Sequence, residues 1–112
     1  MSVEALWTAQ FQTAQGWDNG GVVVLETGRV YGGDSQYYYL GTYKVPGEEI
    51  EASLRVTHYF GQVSTAWNTS EKQFAVSLRG KREGNTITGV MFRPEFPQAM
   101  RPVRLTLREN LP

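Results

Sequence analysis

With 112 residues, 40% hydrophobic and 20% charged, the chain has the size and make-up of one globular domain, 1–112, and wholesale disorder is excluded. Eleven basic residues offset eleven acidic ones, so the chain exerts little long-range pull on a phosphate backbone and no direct nucleic-acid partner is expected. Cysteine is absent, which rules out disulfides, thiol nucleophiles and Cys-rich zinc sites.

The N-terminal stretch Met1–Gln12 lacks a basic leader and a long apolar run, so it does not read as a signal peptide. It predicts a first strand over 5–12, with Trp7, Ala9 and Phe11 on one face and Thr8, Gln10 and Gln12 on the other. A turn-rich segment, Gly16-Trp17-Asp18-Asn19-Gly20, leads into a second strand over 20–26. Val22, Val23, Val24 and Leu25 are apolar on both faces of that strand. They imply that its outer side is covered, most simply by a second copy of the chain in a homodimer, with a covering loop as the alternative. Thr27-Gly28 turns the chain into a strand over 29–33, and Gly32-Gly33-Asp34-Ser35 turns it again. The next strand, 36–45, places Tyr37 and Tyr39 on one face and Tyr38 and Leu40 on the other.

After the Pro46-Gly47 turn, a strand over 49–60 alternates strictly. Ile50, Ala52, Leu54, Val56, His58 and Phe60 share one face, against Glu51, Ser53, Arg55, Thr57 and Tyr59. The connection 61–71 is the longest and the one place that suits a short helical turn. Its Asn68-Thr69-Ser70 sequon has no significance without export. Strands over 72–80, 86–93 and 100–109 follow, with Phe74, Val76 and Leu78, and then Val103, Leu105 and Leu107, as their apolar faces.

Eight short antiparallel strands with no helix to cover them must bury their apolar faces against one another, in a sandwich or a barrel. Gly41 and Gly89 lie inside strand patterns, where glycine relieves crowding at a sharp bend, and this favours the barrel. The prediction is an all-β fold, an eight-stranded antiparallel β-barrel, whose interior is wide enough for side chains or one small ligand.

Little in the sequence points to catalysis. His58 is the one histidine and sits on an apolar face, where a buried histidine is ordinarily a hydrogen-bonded core or cavity residue. Asp18 and Asp34 fall in turns that their side chains can cap. No nucleophile elbow, phosphate loop or metal-ligand spacing appears, so the expectation is a protein that is not an enzyme and needs no cofactor. Tyr37, Tyr38 and Tyr39 beside Arg29 and Lys44 resemble a base-stacking platform. Alternation splits them between two faces, however, which suits core and interface better. Glu48, Glu49 and Glu51 follow the Pro46-Gly47 turn and form a local negative patch that a basic protein partner can read. With no export signal and no apolar stretch near the ~18 residues of a spanning helix, the cytoplasm is the expected compartment and no membrane partner is expected.

The run Gly21–Leu25, the Thr27-Gly28 turn, Val30-Tyr31-Gly32-Gly33-Asp34-Ser35 and Tyr38-Tyr39-Leu40-Gly41-Thr42-Tyr43 together resemble the GrlR-type negative regulators of type III secretion. The likeness extends more weakly through Leu54-Arg55-Val56-Thr57-His58-Tyr59, about the first half of the chain. The resemblance implies a lipocalin-like up-and-down barrel that forms a homodimer around an apolar interior. It also implies a regulator that sequesters a transcriptional activator through an acidic tetrad before the fifth strand. Here those positions read Glu48, Glu49, Ile50 and Glu51, so Ile50 interrupts the acidic run. Two functions compete on these grounds. One is a regulator that holds a protein partner; the other is a barrel that binds an apolar small molecule, with Trp7, Phe11, His58 and Phe74 lining its cavity. The volume left inside the barrel separates them.

Overall fold

The structure is a computed structural model that describes residues 3–63 and 70–112. The helical turn expected within 61–71, and most of the Asn68-Thr69-Ser70 sequon, lie outside the described residues. Eight strands form, in chain order: β1 (Ala5–Thr13), β2 (Gly16–Glu26), β3 (Arg29–Gly33), β4 (Tyr37–Lys44), β5 (Glu49–His58), β6 (Gln73–Glu83), β7 (Thr86–Phe92) and β8 (Arg101–Glu109). Each pairs antiparallel with the next, and β8 returns to pair with β1, so the sheet closes into an up-and-down barrel. Closure gives every strand among the described residues a neighbour on both sides. No helix occurs among the described residues.

The alternation seen in the sequence becomes the inside and outside of the barrel. Ile50, Ala52 and Val56 of β5, Phe74, Val76 and Leu78 of β6, and Val103 and Leu105 of β8 are all buried. Phe60 departs from its expected inward place. It lies beyond the end of β5 and is 69% exposed, because the alternation outruns the strand.

Two strands run longer than their composition suggests. The turn-rich residues Gly16–Gly20 belong to β2, because a β-bulge absorbs the glycine pair: Ala9 faces Gly21 while Gln10 faces Asn19, and Gly20 is the extra residue. Gly21 takes φ +90° there, a conformation open to glycine at little cost. β6 continues past Gly80 to Glu83, where the two-residue Gly84-Asn85 connection turns it into β7. Gly41 and Gly89 mark close approaches between strands. A Cβ at Gly41 would fall on the Ser53 carbonyl oxygen, and one at Gly89 on that of Arg79.

The β2–β3 hairpin turns on Thr27 (φ 50°) and Gly28 (φ 78°), the pair of positive φ values that a type I′ turn demands. A β-branched residue is a poor occupant of that conformation. The Glu4 carboxylate supports it by accepting the Thr27 N–H at 2.6 Å and its hydroxyl at 3.2 Å. Thr27→Asn removes the steric cost but keeps the backbone bond. It should raise the unfolding free energy by about 0.5–1 kcal/mol in urea denaturation, part of the ~1–2 kcal/mol left-handed penalty.

Candidate functional site

The inward side chains do not fill the barrel. They leave a cavity of about 610 Å³, within the ~300–1,000 Å³ range of small-molecule sites. Its deep part is aliphatic, walled by Val23, Leu25, Val30, Ile50, Leu78 and Leu105. Polar lining residues gather at one end, where β1 turns into β2, β3 turns into β4, and β8 begins. Gln15, Asp18, Ser35, Gln36 and Arg101 form that mouth. The opposite end is closed by packing. Trp7 is fully buried there among Val3, Ala5, Leu25, Val30 and Ile87, and its indole Nε1 donates to the Val3 carbonyl at 3.0 Å.

One side of the mouth is built on Asp34. Its Oδ1 accepts the backbone N–H groups of Gln36 and Tyr37, both at 2.8 Å, capping the β3–β4 turn as its position in the sequence suggested. Its Oδ2 lies 2.6 Å from the Tyr39 hydroxyl, which also lies 2.9 Å from the Gly20 carbonyl. Residues from β2, the turn and β4 are thereby tied together beside the opening. Burial pushes the Tyr39 phenol far above its usual range, and the hydrogen bond to Asp34 acts in the same direction. Tyr39 therefore stays a neutral donor at any physiological pH. Exposed large side chains crowd the same end: Trp17, Tyr59, Phe60, Phe96 and Met100 surround the mouth, while the turns at the far end carry Val45.

Of the four cavity residues expected from sequence, Phe11 lines the cavity and the other three do not. Trp7 belongs to the closed end. His58 and Phe74 face the right side of their strands but sit behind Tyr37, whose ring meets theirs edge-on at 5.2 and 6.3 Å. Tyr37 and not His58 faces the cavity. His58 Nε2 is buried with no hydrogen-bond partner among the described residues. Alternation identifies a face, whereas height along the barrel axis keeps Trp7 from the cavity, and His58 and Phe74 pack on the ring of Tyr37, which pairs with His58 at the same height. Arg101 was missed, although its signal was available: two residues before Val103, it continues the inward face of β8.

The two-sided run of β2 divides. Val23 and Leu25, at 7% and 2% exposure, point into the barrel and cannot form an interface, which corrects half of the expected dimer contact. Val22 and Val24 point outward. Register places Leu6, Val24, Tyr31 and Leu40 in one row across β1–β4, so a continuous apolar strip crosses the outer wall.

Glu48, Glu49 and Glu51 lie at the far end, away from the mouth, and they do not stand alone. Glu49 faces Lys81 across β6, and Glu51 faces Lys44 on one side and Arg79 on the other. Lys81 Nζ is 3.5 Å from the Glu48 carboxylate. The three acids are thus interleaved with three bases, and the expected negative patch is largely neutralised.

No protein-family model matches the chain, and no curated protein matches it.

Proposed function

We propose that this protein is a binding barrel for a small apolar molecule, with a binding and not a catalytic role. The cavity of about 610 Å³ carries the reading. The polar mouth opens to solvent and can hold water, whereas the deep aliphatic part cannot hold it well. Buried water needs two to four polar partners, and the side chains of Val23, Leu25, Val30, Ile50, Leu78 and Leu105 offer none. An apolar molecule suits the deep part better, with the polar mouth left to hold its exposed end.

Titration with an environment-sensitive apolar fluorophore checks this. The expected result is saturable one-to-one binding that competing apolar compounds reverse. A signal that rises linearly without saturation would show a barrel that only scaffolds.

The resemblance to GrlR-type regulators supports a second, compatible reading in which the barrel regulates through protein contacts. The observation that favours it is the apolar strip on the outer wall and not the acidic cluster. Val22, Tyr31 and Leu40 are each 38–42% exposed, and a second copy is the simplest cover for a strip that continues from strand to strand. The protein should then be a dimer at micromolar concentration, and Val24→Glu should convert it to monomer, as read by light scattering. A monomeric unsubstituted protein would remove the dimer from this reading.

A further inference from the structure

We propose that the molecule held in the barrel is a neutral amphiphile, an apolar body ended by one uncharged hydrogen-bonding group such as a hydroxyl, bound body-first with that group at the mouth. This deepens the apolar-ligand reading and rests on it. Three observations carry the inference.

The first is the one-way polarity of the cavity. An aliphatic floor beneath a polar mouth fits a ligand with one polar end, and it disfavours polar atoms on the inner half, where no partner waits for them.

The second is the state of the charges at the mouth. Among the described residues, three charged side chains line the cavity: Arg101, Asp18 and Asp34. Arg101 is engaged, since its Nη1 donates to the Gln12 carbonyl over 3.4 Å and the side chain has a further partner. Asp34 commits one oxygen to the backbone N–H groups of Gln36 and Tyr37 and the other to the Tyr39 hydroxyl. Asp18 is exposed, where water screens an ion pair to little net effect. An anionic head would therefore face two carboxylates, and a cationic head would face the guanidinium. Neither gains a dedicated counter-charge to offset the water it gives up.

The third is what the mouth still offers. The side chains of Gln15, Ser35 and Gln36 stand there and make no hydrogen bond within the described residues. Amides and hydroxyls both donate and accept, so they can serve a hydroxyl or carbonyl head in either role. An uncharged head that finds such partners loses little on leaving water.

The test compares dodecanol, dodecanoate and dodecylamine at pH 7, each below its aggregation concentration, by displacement of a bound apolar fluorophore. Dodecanol should bind at least about tenfold tighter than either ion, whose desolvation nothing at the mouth offsets. Asp18→Asn should narrow the gap for dodecanoate about two- to fivefold and leave dodecanol unchanged, and Arg101→Gln should do the same for dodecylamine. Circular dichroism checks that each variant keeps its fold; Asp18→Asn, at an exposed position, tests the proposal even where Arg101→Gln fails to fold. Either ion binding as tightly as the alcohol, or a gap that the matching substitution leaves unmoved in a folded variant, would overturn the proposal and leave the apolar-ligand reading intact. Failure of the fluorophore and all three compounds to bind would overturn that reading as well.

Discussion

Trp7→Ala should lower the unfolding free energy by about 3–5 kcal/mol, the range found when a large buried aromatic is removed. Trp7 is fully buried and plugs the closed end of the barrel, where Val3, Leu25, Val30, Ile87 and Leu105 pack in the same cluster. The Arg82 guanidinium lies 5.4 Å from its ring centroid and covers it from outside. Shortening the side chain to alanine opens a hole that the surrounding ladder of hydrogen-bonded strands cannot collapse to fill. It also strips the Val3 carbonyl of the indole N–H that it accepts at 3.0 Å. Against a typical stability of about 5–15 kcal/mol, the loss removes a large share of the total. Trp7→Phe keeps most of the ring and should cost less, about 1–2 kcal/mol, with the lost hydrogen bond as its main component. Urea denaturation followed by far-ultraviolet circular dichroism measures both. A Trp7→Ala variant within about 1 kcal/mol of the parent would mean that the plug contributes little to closing that end.

Ala52→Phe should abolish binding of apolar ligands, weakening it at least about tenfold, without unfolding the barrel. Ala52 is buried on the inward face of β5 and lines the cavity. In a solid core the same enlargement would cost about 1–3 kcal/mol through forced rotamers and backbone shifts. Where the ring can enter a cavity, the change should be neutral or stabilising by up to about 2 kcal/mol. The sign of the stability change therefore distinguishes a cavity from a filled interior, independently of any ligand. Calorimetry with the apolar fluorophore and urea denaturation on the same sample give the two readings. Lost binding with stability kept is the expected combination; a clear loss of stability would show that the barrel is already packed.

Much of this architecture was legible in the chain. Period-2 alternation marked β1, β5, β6 and β8, turn residues bounded the other four, and most side chains of the alternating strands were assigned to the correct face, since successive residues of a strand must point to opposite sides. The Asp34 cap and the split of Tyr37 and Tyr39 from Tyr38 follow from equally local rules. Composition was misleading at the start of β2, where Gly16–Gly20 reads as a turn, because a bulge depends on what the partner strand presents.

What local pattern does not contain is height along the barrel axis and the identity of cross-strand neighbours. His58 and Phe74 share the inward face of their strands with cavity residues, yet both pack on the ring of Tyr37, the cross-strand partner of His58, and Tyr37 is the one that lines the cavity. Glu48, Glu49 and Glu51 look like a negative patch in a one-dimensional string. Register brings Lys44, Arg79 and Lys81 alongside from strands up to 33 positions away. Arg101 becomes a mouth residue when β8 closes against β1, which carries Gln12, a contact across 89 positions. The faces of the strands were thus set by local chemistry, and the cavity, its mouth and its charge were set by closure. A strand's alternation is a property of its own residues; a barrel interior exists once register and stagger have arranged eight strands together.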